Sequence, residues 1–205
     1  MNLKYFKNDI AIIENVFADK ICQQLVQKID ELHEGKKLFN RQQSENVHKI
    51  KKQDYSVVVR TSNEELEALL GIFKGEDGRQ IPPSVIPRKL GEALQIYRQE
   101  CFVGPEIECR CPILKFQMTP PGGGYHVWHS ERETHTVGRY MVFLMYLNTL
   151  PPGSAGETEF IRQELKVAPE ENTVVFWPAT YTHPHRGNPV YGKINKYVLT
   201  GWVYI

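Results

Sequence analysis

The sequence lacks a surplus of charge of either sign: its 205 residues include 25 basic and 24 acidic side chains, which gives a formal net charge of +1. Proteins that bind nucleic acid or anionic membranes usually carry a basic excess, so the composition requires neither partner. The sequence also has no apolar segment near its N-terminus and no stretch approaching 18 uninterrupted apolar residues. We therefore expect neither a secretory leader nor a membrane-spanning helix.

Cysteine is scarce as well. The four cysteines are Cys22, Cys101 and the neighbouring pair Cys109 and Cys111. On a strand this pair would point both thiols to one face. No second thiol pair completes a four-ligand zinc site of the usual spacing. We therefore expect reduced thiols and a cytoplasmic protein.

Three helices are predicted in the first half of the sequence. The first begins after Asp19 as its N-cap and ends at Gly35, because apolar residues recur on one face between them. The second is capped by Ser62, with an acidic residue three positions later. The third is predicted over residues 83–102. The face that supports the first helix consists of Ile21, Cys22, Leu25, Val26, Ile29 and Leu32.

Strands dominate the second half, where short apolar runs alternate with turn residues. Together with two earlier runs, the predicted strands cover residues 10–17, 55–61, 107–118, 125–131, 139–148, 156–161, 165–169, 172–179 and 196–205. The segment 141–147 is apolar on both faces and should be a central strand. The pattern predicts an α+β, mainly β fold, with a sandwich or barrel in residues 106–205 and the helices packed on one outer face of a sheet.

Metal-binding side chains are concentrated in the segment PGGGYHVWHSERETH, residues 121–135. Successive side chains of a strand point to opposite faces, so His129 and Glu131 share a face and Ser130 points away. His126 should face the opposite side from His129. His129 and Glu131 can therefore supply two adjacent ligands to one metal ion. Alone, such a pair is weak evidence because it arises often by chance.

A second pair of histidines, His183 and His185, lies far downstream. One of them would complete a set of two imidazoles and one carboxylate with His129 and Glu131. Such a facial triad leaves coordination positions open and suits Fe(II) that must also bind a co-substrate and O₂. A structural zinc site would instead require four protein ligands, preferably with thiolates. The residues alone leave open which of the two histidines is the ligand.

The last predicted strand carries a cation. Lys196, Val198, Thr200 and Trp202 share one of its faces. If that face lines the interior of the barrel, the ammonium of Lys196 requires an anionic partner, since burying an unpaired charge is costly. The alternative is that Lys196 is simply the exposed first residue of its strand.

Taken together, these residues resemble the Fe(II)/2-oxoglutarate-dependent dioxygenases of the prolyl-4-hydroxylase-like group. His129 and Glu131, then His185, then Lys196 follow the order of that family's His-x-(Asp/Glu) pair, distal histidine and basic residue. The resemblance covers most of the chain and is strongest over residues 113–203. Two further segments resemble family motifs, and they are GETEF (residues 156–160) and HRGNPVYGKINKYVLTGW (residues 185–202).

The resemblance implies a fold and a chemistry. It implies one domain, residues 1–205, in which residues 1–105 supply supporting helices and strands and residues 106–205 form a double-stranded β-helix (jelly-roll) core. It implies Fe(II), 2-oxoglutarate as co-substrate and O₂, with ascorbate as a reductant. The enzyme would hydroxylate an unidentified substrate and release succinate and CO₂. That substrate would be a prolyl or other side chain of a protein or peptide, or a small metabolite.

The resemblance also assigns roles to residues. The metal ligands would be His129, Glu131 and His185. His185 is favoured over His183 because it places the following Pro-Val pair, residues 189–190, in the family register. Lys196 would bind the distal carboxylate of 2-oxoglutarate, and the Tyr146 hydroxyl would contact the same co-substrate.

One residue departs from the family pattern, in which the carboxylate is usually Asp rather than Glu131. Glutamate has an additional methylene, which would shift the metal or the strand slightly and could weaken iron binding. Two other classes of protein therefore stay open. One is a non-catalytic jelly-roll binding protein with a vestigial metal site. The other is a cupin-type metal hydrolase or isomerase, which shares the ligands but does not require Lys196. Two polar segments, residues 36–55 and 74–84, are candidate lids.

Overall fold

A computed structural model describes residues 1–40, 51–104 and 106–205. The helices in these ranges are α1 (Ile21–Glu34), α2 (Asn63–Leu70) and α3 (Val85–Glu100). Each lies where the sequence predicts a helix, and the Ser62 side chain caps α2 by accepting a hydrogen bond from the backbone N–H of Glu65 (3.4 Å). Within the described ranges, no helix combines the length and the apolar character that crossing a membrane requires.

The start of α1 differs from the prediction. Asp19 does not cap this helix, because the preceding residue is Lys20 in the left-handed conformation (φ 54°) and no side chain makes a capping hydrogen bond. The carboxylate of Asp19 instead accepts hydrogen bonds from Arg79 (2.5 Å) and from the backbone N–H of Glu76 (3.4 Å). An ion pair with the loop after α2 thus replaces the capping bond.

The strands form two larger sheets and one small hairpin. In chain order they are β1 (Asn2–Lys7), β2 (Ile10–Glu14), β3 (Phe39–Asn40), β4 (Lys52–Gln53), β5 (Tyr55–Arg60), β6 (Phe73–Lys74), β7 (Gln80–Ile81), β8 (Ile113–Thr119), β9 (Gly124–His129), β10 (Arg139–Tyr146), β11 (Thr158–Phe160), β12 (Leu165–Val167), β13 (Thr173–Pro178), β14 (His185–Gly187) and β15 (Lys196–Tyr204). The major sheet has the order β1-β2-β13-β10-β15-β8-β5-β3, and the minor sheet has the order β12-β11-β14-β9-β4. Two antiparallel sheets with added helices confirm the α+β, mainly β prediction.

Strand β10 is central, as its apolar pattern predicts. It pairs with β13 on one side and with β15 on the other. Met141, Phe143 and Met145 point into the core that contains the helices, whereas Val142 and Tyr146 belong to a second core on the opposite face. Both faces of the strand are therefore covered, which explains why it lacks the apolar–polar alternation of a half-exposed strand.

The helices cover one face of the major sheet. Leu25 and Ile29 of α1, Leu66 of α2 and Ile86 of α3 are fully buried in the same core as Phe176 of β13. This arrangement confirms the expectation that the helices pack on one outer face. It leaves the other face of the major sheet to the minor sheet, and the cavity described below lies between these two sheets.

The structure departs from the predicted strands in several places, among them the end of β2 at Glu14 rather than Phe17 and the end of β9 at His129 rather than Glu131. Strand β1 was not predicted, because its residues mix Asn, Lys and aromatic side chains without a regular alternation, and it lies at the edge of the major sheet. Residues 107–112 do not extend β8 as predicted, although Arg110 forms an isolated bridge with Tyr204. Pro112 lacks the backbone N–H that a continuous ladder requires.

The two candidate lids have different outcomes. The first, residues 36–55, falls largely on residues 41–50, which lie outside the described part of the chain. The second, residues 74–84, contains the β6–β7 hairpin and is attached to α1. There Gln24 donates to the backbone oxygen of Lys74 and accepts from its N–H, both at 2.9 Å. This segment is therefore held against a helix rather than over the cavity.

Asn172 connects the chain after β2 to the start of β13. Its side chain accepts a hydrogen bond from the backbone N–H of Phe17 and donates one to the backbone oxygen of the same residue, both at 2.8 Å. Asn172 has a φ of 63°, a left-handed conformation that asparagine tolerates better than most residues. One side chain thus forms hydrogen bonds with two backbone groups, and the same residue adopts the left-handed backbone conformation of a tight turn.

Replacing Asn172 by alanine should lower the free energy of unfolding by about 2–4 kcal/mol, because two hydrogen bonds are lost and alanine must adopt the left-handed conformation. Equilibrium urea unfolding measures this change. Asn2→Ala is the control, since Asn2 makes exposed hydrogen bonds, and it should change stability by less than about 0.5 kcal/mol. Equal losses in the two variants would contradict the assigned role of Asn172.

Candidate metal centre

A glycine-rich turn brings β9 against β14. Gly122 has a φ of +82°, which side chains of L-residues disfavour. At Gly124 an added Cβ would lie 2.9 Å from the backbone oxygen of Gly187, so a side chain there would push the two strands apart. The turn therefore lets the strand that ends at His129 lie beside the strand that begins at His185.

His129, Glu131 and His185 meet in space. His185 lies directly opposite His129 in the antiparallel pairing of β14 with β9. Glu131 follows two residues after β9, and its Oε1 lies 3.4 Å from Nε2 of His129 and 3.5 Å from Nε2 of His185. The potential ligand atoms of the three residues lie within 4.8 Å of one another. Two imidazoles and one carboxylate are thus close enough to share one metal ion.

The tautomers of both histidines follow from their outer hydrogen bonds. Nδ1 of His129 lies 3.1 Å from the backbone oxygen of Val127, and Nδ1 of His185 lies 3.0 Å from the backbone oxygen of His183. A carbonyl oxygen only accepts, so each Nδ1 carries the proton and each Nε2 presents a lone pair to the centre. Burial lowers the pKa of His129, which favours the neutral imidazole that a metal requires.

The carboxylate of Glu131 stays ionised although it is buried. Burial acts to raise its pKa, but hydrogen bonds and charge interactions with His129 and His185 outweigh that effect and hold the pKa well below its usual range. The second oxygen, Oε2, accepts hydrogen bonds from the indole N–H of Trp202 (2.9 Å) and from Nη1 of Arg139 (3.2 Å). The site is therefore anionic and accessible to a cation through Oε1.

Lys196 lies in the wall of the same cavity, which has a volume of about 710 Å³ and is also lined by the three residues above. Only 6% of Lys196 is exposed, so the alternative that it is an exposed strand end is wrong. Its Nζ donates a hydrogen bond to the backbone oxygen of Gly156 (2.6 Å). Burial lowers the pKa of Lys196 to about 8, although the charge of Glu157 acts against this shift. A buried cation thus faces a polar cavity.

Tyr146 lies behind this wall. Its hydroxyl donates to Oγ1 of Thr158 (2.7 Å) and also lies 3.0 Å from the backbone oxygen of Val167, while its ring centroid lies 5.4 Å from Nζ of Lys196. Burial raises the pKa of Tyr146, so the phenol keeps its proton. Thr158, rather than Tyr146, is among the residues that line the cavity. A direct contact between the Tyr146 hydroxyl and a co-substrate stays a prediction.

The other histidines of the two motifs are placed elsewhere. His183 is buried, but its Nε2 lies 2.8 Å from the backbone oxygen of Asn8 in the turn between β1 and β2, and its Nδ1 lies 2.9 Å from Oγ1 of Thr182. His126 is not among the residues that line the cavity. His183 therefore connects the N-terminal hairpin to the segment that carries His185.

Three residues of the site were missed as functional groups. Thr158 lies in the GETEF segment, which was recognised without a role for the threonine. Trp202 shares the strand face of Lys196, but its hydrogen bond to Glu131 depends on how far β15 extends past the metal centre. Arg139 begins β10, and no periodicity in the sequence connects it to Glu131.

Residues 114–204 match the model of the 2OG-Fe(II) oxygenase superfamily. This stretch contains all three residues of the candidate metal centre and the buried Lys196. A comparison with curated protein sequences finds no significant match. A 2OG-Fe(II) oxygenase domain with a His/Glu/His cluster indicates a dioxygenase that uses Fe(II), 2-oxoglutarate and O₂.

Solved structures show which branch of this class the fold resembles. A prolyl-4-hydroxylase from Pseudomonas putida is 16% identical, with a TM-score of 0.68 over 96% of this chain and 93% of that one. A viral collagen prolyl hydroxylase from Paramecium Bursaria Chlorella virus-1, solved as its 2OG complex, is 15% identical, with a TM-score of 0.63 over 96% of both chains.

A third structure is a prolyl hydroxylase from Trichoplax adhaerens in complex with a hypoxia inducible factor oxygen degradation domain peptide fragment. It is 17% identical, with a TM-score of 0.70 over 97% of this chain and 84% of that one. Residues 114–204 therefore match a 2OG-Fe(II) oxygenase domain, and the chain has the fold of the prolyl-4-hydroxylase-like group, which confirms the jelly-roll prediction.

Proposed function

We propose that His129, Glu131 and His185 bind the Fe(II) of this dioxygenase. The observation that carries the proposal is the approach of Nε2, Oε1 and Nε2 to within 4.8 Å, with each Nδ1 already occupied by a backbone carbonyl. Two neutral imidazoles and a carboxylate are the donor set that suits Fe(II) with open positions. When bound, Fe(II) would supply the activation of O₂, which is the oxidant. Oxidation of 2-oxoglutarate to succinate and CO₂ would supply two of the four electrons and the substrate the other two, so that one oxygen atom enters succinate and the other enters the substrate.

The protein residues in this proposal hold and orient the reactants. The carboxylate of Glu131 offsets part of the metal charge, and the backbone carbonyls behind His129 and His185 fix the imidazole planes. Lys196 binds the distal carboxylate of 2-oxoglutarate by exchanging its hydrogen bond with the Gly156 oxygen for a charge-assisted one. Without an anionic ligand, burial of the Lys196 ammonium costs free energy that an ion pair would offset.

Tyr146 and Thr158 act together in this proposal. The Tyr146 hydroxyl lies 2.7 Å from Oγ1 of Thr158 and 3.0 Å from the backbone oxygen of Val167, so it fixes the position of the threonine side chain at the cavity wall. The Thr158 hydroxyl, held in this position, contacts an oxygen of 2-oxoglutarate near Lys196, and Tyr146 orients that hydroxyl. The involvement of Tyr146 predicted from the sequence is retained, with Thr158 between it and the co-substrate.

The prime substrate in this proposal is a prolyl side chain, or another side chain, of a protein or peptide. The cavity of about 710 Å³ has room for more than a small co-substrate. Its lining includes Trp128, a large aromatic that stays 37% exposed with the guanidinium of Arg186 4.5 Å from its ring. Exposed aromatic and Arg side chains are typical of surfaces that bind polypeptide. A small metabolite is the alternative substrate.

We also propose that residues 1–205 act as one dioxygenase domain in the cytoplasm. A single core contains residues of all three helices and of strands from both halves, including Leu25, Ile86 and Phe176. All four cysteines are free thiols, which fits a reducing compartment. Ascorbate as a reductant stays a prediction.

Lys196 separates the dioxygenase from the two alternative classes. A cupin-type hydrolase or isomerase needs the metal ligands but no buried cation beside them, and a vestigial binding protein needs neither. Burial in the wall of the metal cavity destabilises the charged form of Lys196, and a ligand with a second carboxylate would offset that cost.

Turnover tests the function. The protein with Fe(II), 2-oxoglutarate, ascorbate and candidate peptides should release succinate, measured by mass spectrometry. His129→Ala should lower the rate by more than about 100-fold, because loss of even an outer partner of a metal ligand costs about 10–100-fold. His126→Ala is the matched control and should retain the rate. Absence of both succinate release and 2-oxoglutarate binding would refute the dioxygenase function.

Metal affinity identifies the distal ligand. His185→Ala should weaken Mn(II) binding by more than about 100-fold, whereas His183→Ala should weaken it by about tenfold or less, because it keeps the backbone carbonyl that orients His185. His183→Ala should instead lower thermal stability, since it removes a buried imidazole and its hydrogen bond to the backbone oxygen of Asn8. Isothermal titration calorimetry and thermal melts measure the two effects. The reverse order of metal affinities would assign the ligand to His183.

The pH dependence of co-substrate binding tests Lys196. Its pKa of about 8 means that Lys196 loses its positive charge above that pH. The affinity of the Mn(II)-loaded protein for N-oxalylglycine should therefore be constant below pH 8 and fall by up to about tenfold per pH unit above it. Lys196→Arg keeps its charge at these pH values, so its affinity should not fall. An identical fall in both proteins would show that another group titrates.

A further inference from the structure

Glu131 is held by more contacts than a simple metal ligand needs. Its Oε2 accepts two hydrogen bonds, from the indole N–H of Trp202 at 2.9 Å and from Nη1 of Arg139 at 3.2 Å. Its Oε1 makes neither contact and lies 3.4 Å and 3.5 Å from the two histidine Nε2 atoms. The two oxygens of one carboxylate therefore have separate partners.

The two donors form one rigid unit with the backbone of Glu131. Nη1 of Arg139 also donates to the backbone oxygen of Glu131 (3.0 Å), and the guanidinium carbon lies 4.0 Å from the ring centre of Trp202. The same backbone oxygen accepts from Oγ1 of Thr136 (3.0 Å), and the Glu131 N–H donates to the backbone oxygen of Ala179 (3.2 Å). The backbone and the carboxylate are thus fixed at the same time.

We propose that Arg139 and Trp202 keep Oε2 of Glu131 away from the metal, so that the glutamate binds through Oε1 alone. They are positioning residues, and the proposal rests on the proposed role of Glu131 as a ligand. A glutamate has one more methylene than the aspartate of the resembled family, and carboxylates bind hard cations through either one or both oxygens. Two directed hydrogen bonds on Oε2 oppose the two-oxygen mode.

The number of Glu131 carboxylate oxygens that bind the metal decides how many of its coordination positions stay open. A six-coordinate metal held by three protein atoms keeps three positions, which the chelating co-substrate and O₂ together fill. If Glu131 bound through both oxygens, the co-substrate would leave no position for O₂. Arg139 and Trp202 therefore protect the O₂ position rather than the affinity for the metal.

Nitric oxide bound to Fe(II) gives an electron paramagnetic resonance signal and probes this position without turnover. In the anaerobic holoenzyme with 2-oxoglutarate, Trp202→Phe and Arg139→Met should each bind nitric oxide about tenfold more weakly than the unmodified protein, the scale of losing an outer partner of a ligand. Both variants should retain Fe(II) and 2-oxoglutarate affinity within about tenfold. Arg139→Lys keeps a cationic donor and should recover most of the nitric oxide affinity.

A control variant and three contrary results complete the test of Arg139 and Trp202 as positioning residues. Arg110→Met removes an exposed arginine whose side chain pairs with Glu108 rather than with Glu131, and it should leave the nitric oxide signal unchanged. Unchanged nitric oxide affinity in Trp202→Phe or in Arg139→Met, or loss of Fe(II) itself from a variant with an unaltered circular dichroism spectrum, would overturn the proposal. If Trp202→Phe does not fold, Arg139→Met and Arg139→Lys decide the question. Failure of the unmodified protein to bind Fe(II) would instead refute the proposed metal site.

Discussion

The antiparallel pairing of β9 with β14 is the constraint on which the metal centre depends. It places His129 directly opposite His185, one at the end of its strand and the other at the start. Because side chains alternate along a strand, a shift of one residue in this register would turn one imidazole out of the cavity. The close approach of Gly124 to Gly187 maintains the pairing, since a Cβ at Gly124 would contact the opposite backbone. Ligand geometry is thus a consequence of strand packing.

Each imidazole is then oriented by its own strand. His129 bonds to the carbonyl of Val127 and His185 to the carbonyl of His183, in both cases the residue two positions earlier. This repeated contact gives His183 two roles, because its backbone orients the ligand while its side chain holds the N-terminal hairpin through Asn8. The N-terminal hairpin is therefore connected to the metal centre through His183, and β4 of the same half of the chain pairs directly with β9.

The sequence was informative wherever a function depends on strand alternation or on order along the chain. Alternation predicts His129 and Glu131 on one face, and the family resemblance orders His185 and Lys196; all four line one cavity in the structure, although β9 ends at His129. Contacts between distant elements were not predictable in this way. Arg139 reaches Glu131 because β10 starts beside the end of the ligand segment, and the Tyr146 hydroxyl is directed to Thr158 because β10 and β11 lie on opposite sheets. Neither relation follows from spacing or composition.

The buried charges explain why the cavity suits a metal and a dianion together. Glu131 remains anionic because the two histidines, Trp202 and Arg139 surround its carboxylate. The ammonium of Lys196 instead donates to the backbone oxygen of Gly156, and burial lowers its pKa to about 8. A cation beside Glu131 and an anion beside Lys196 would each relieve part of the cost of burial. A co-substrate that chelates the metal at one end and carries a carboxylate at the other meets both requirements at once.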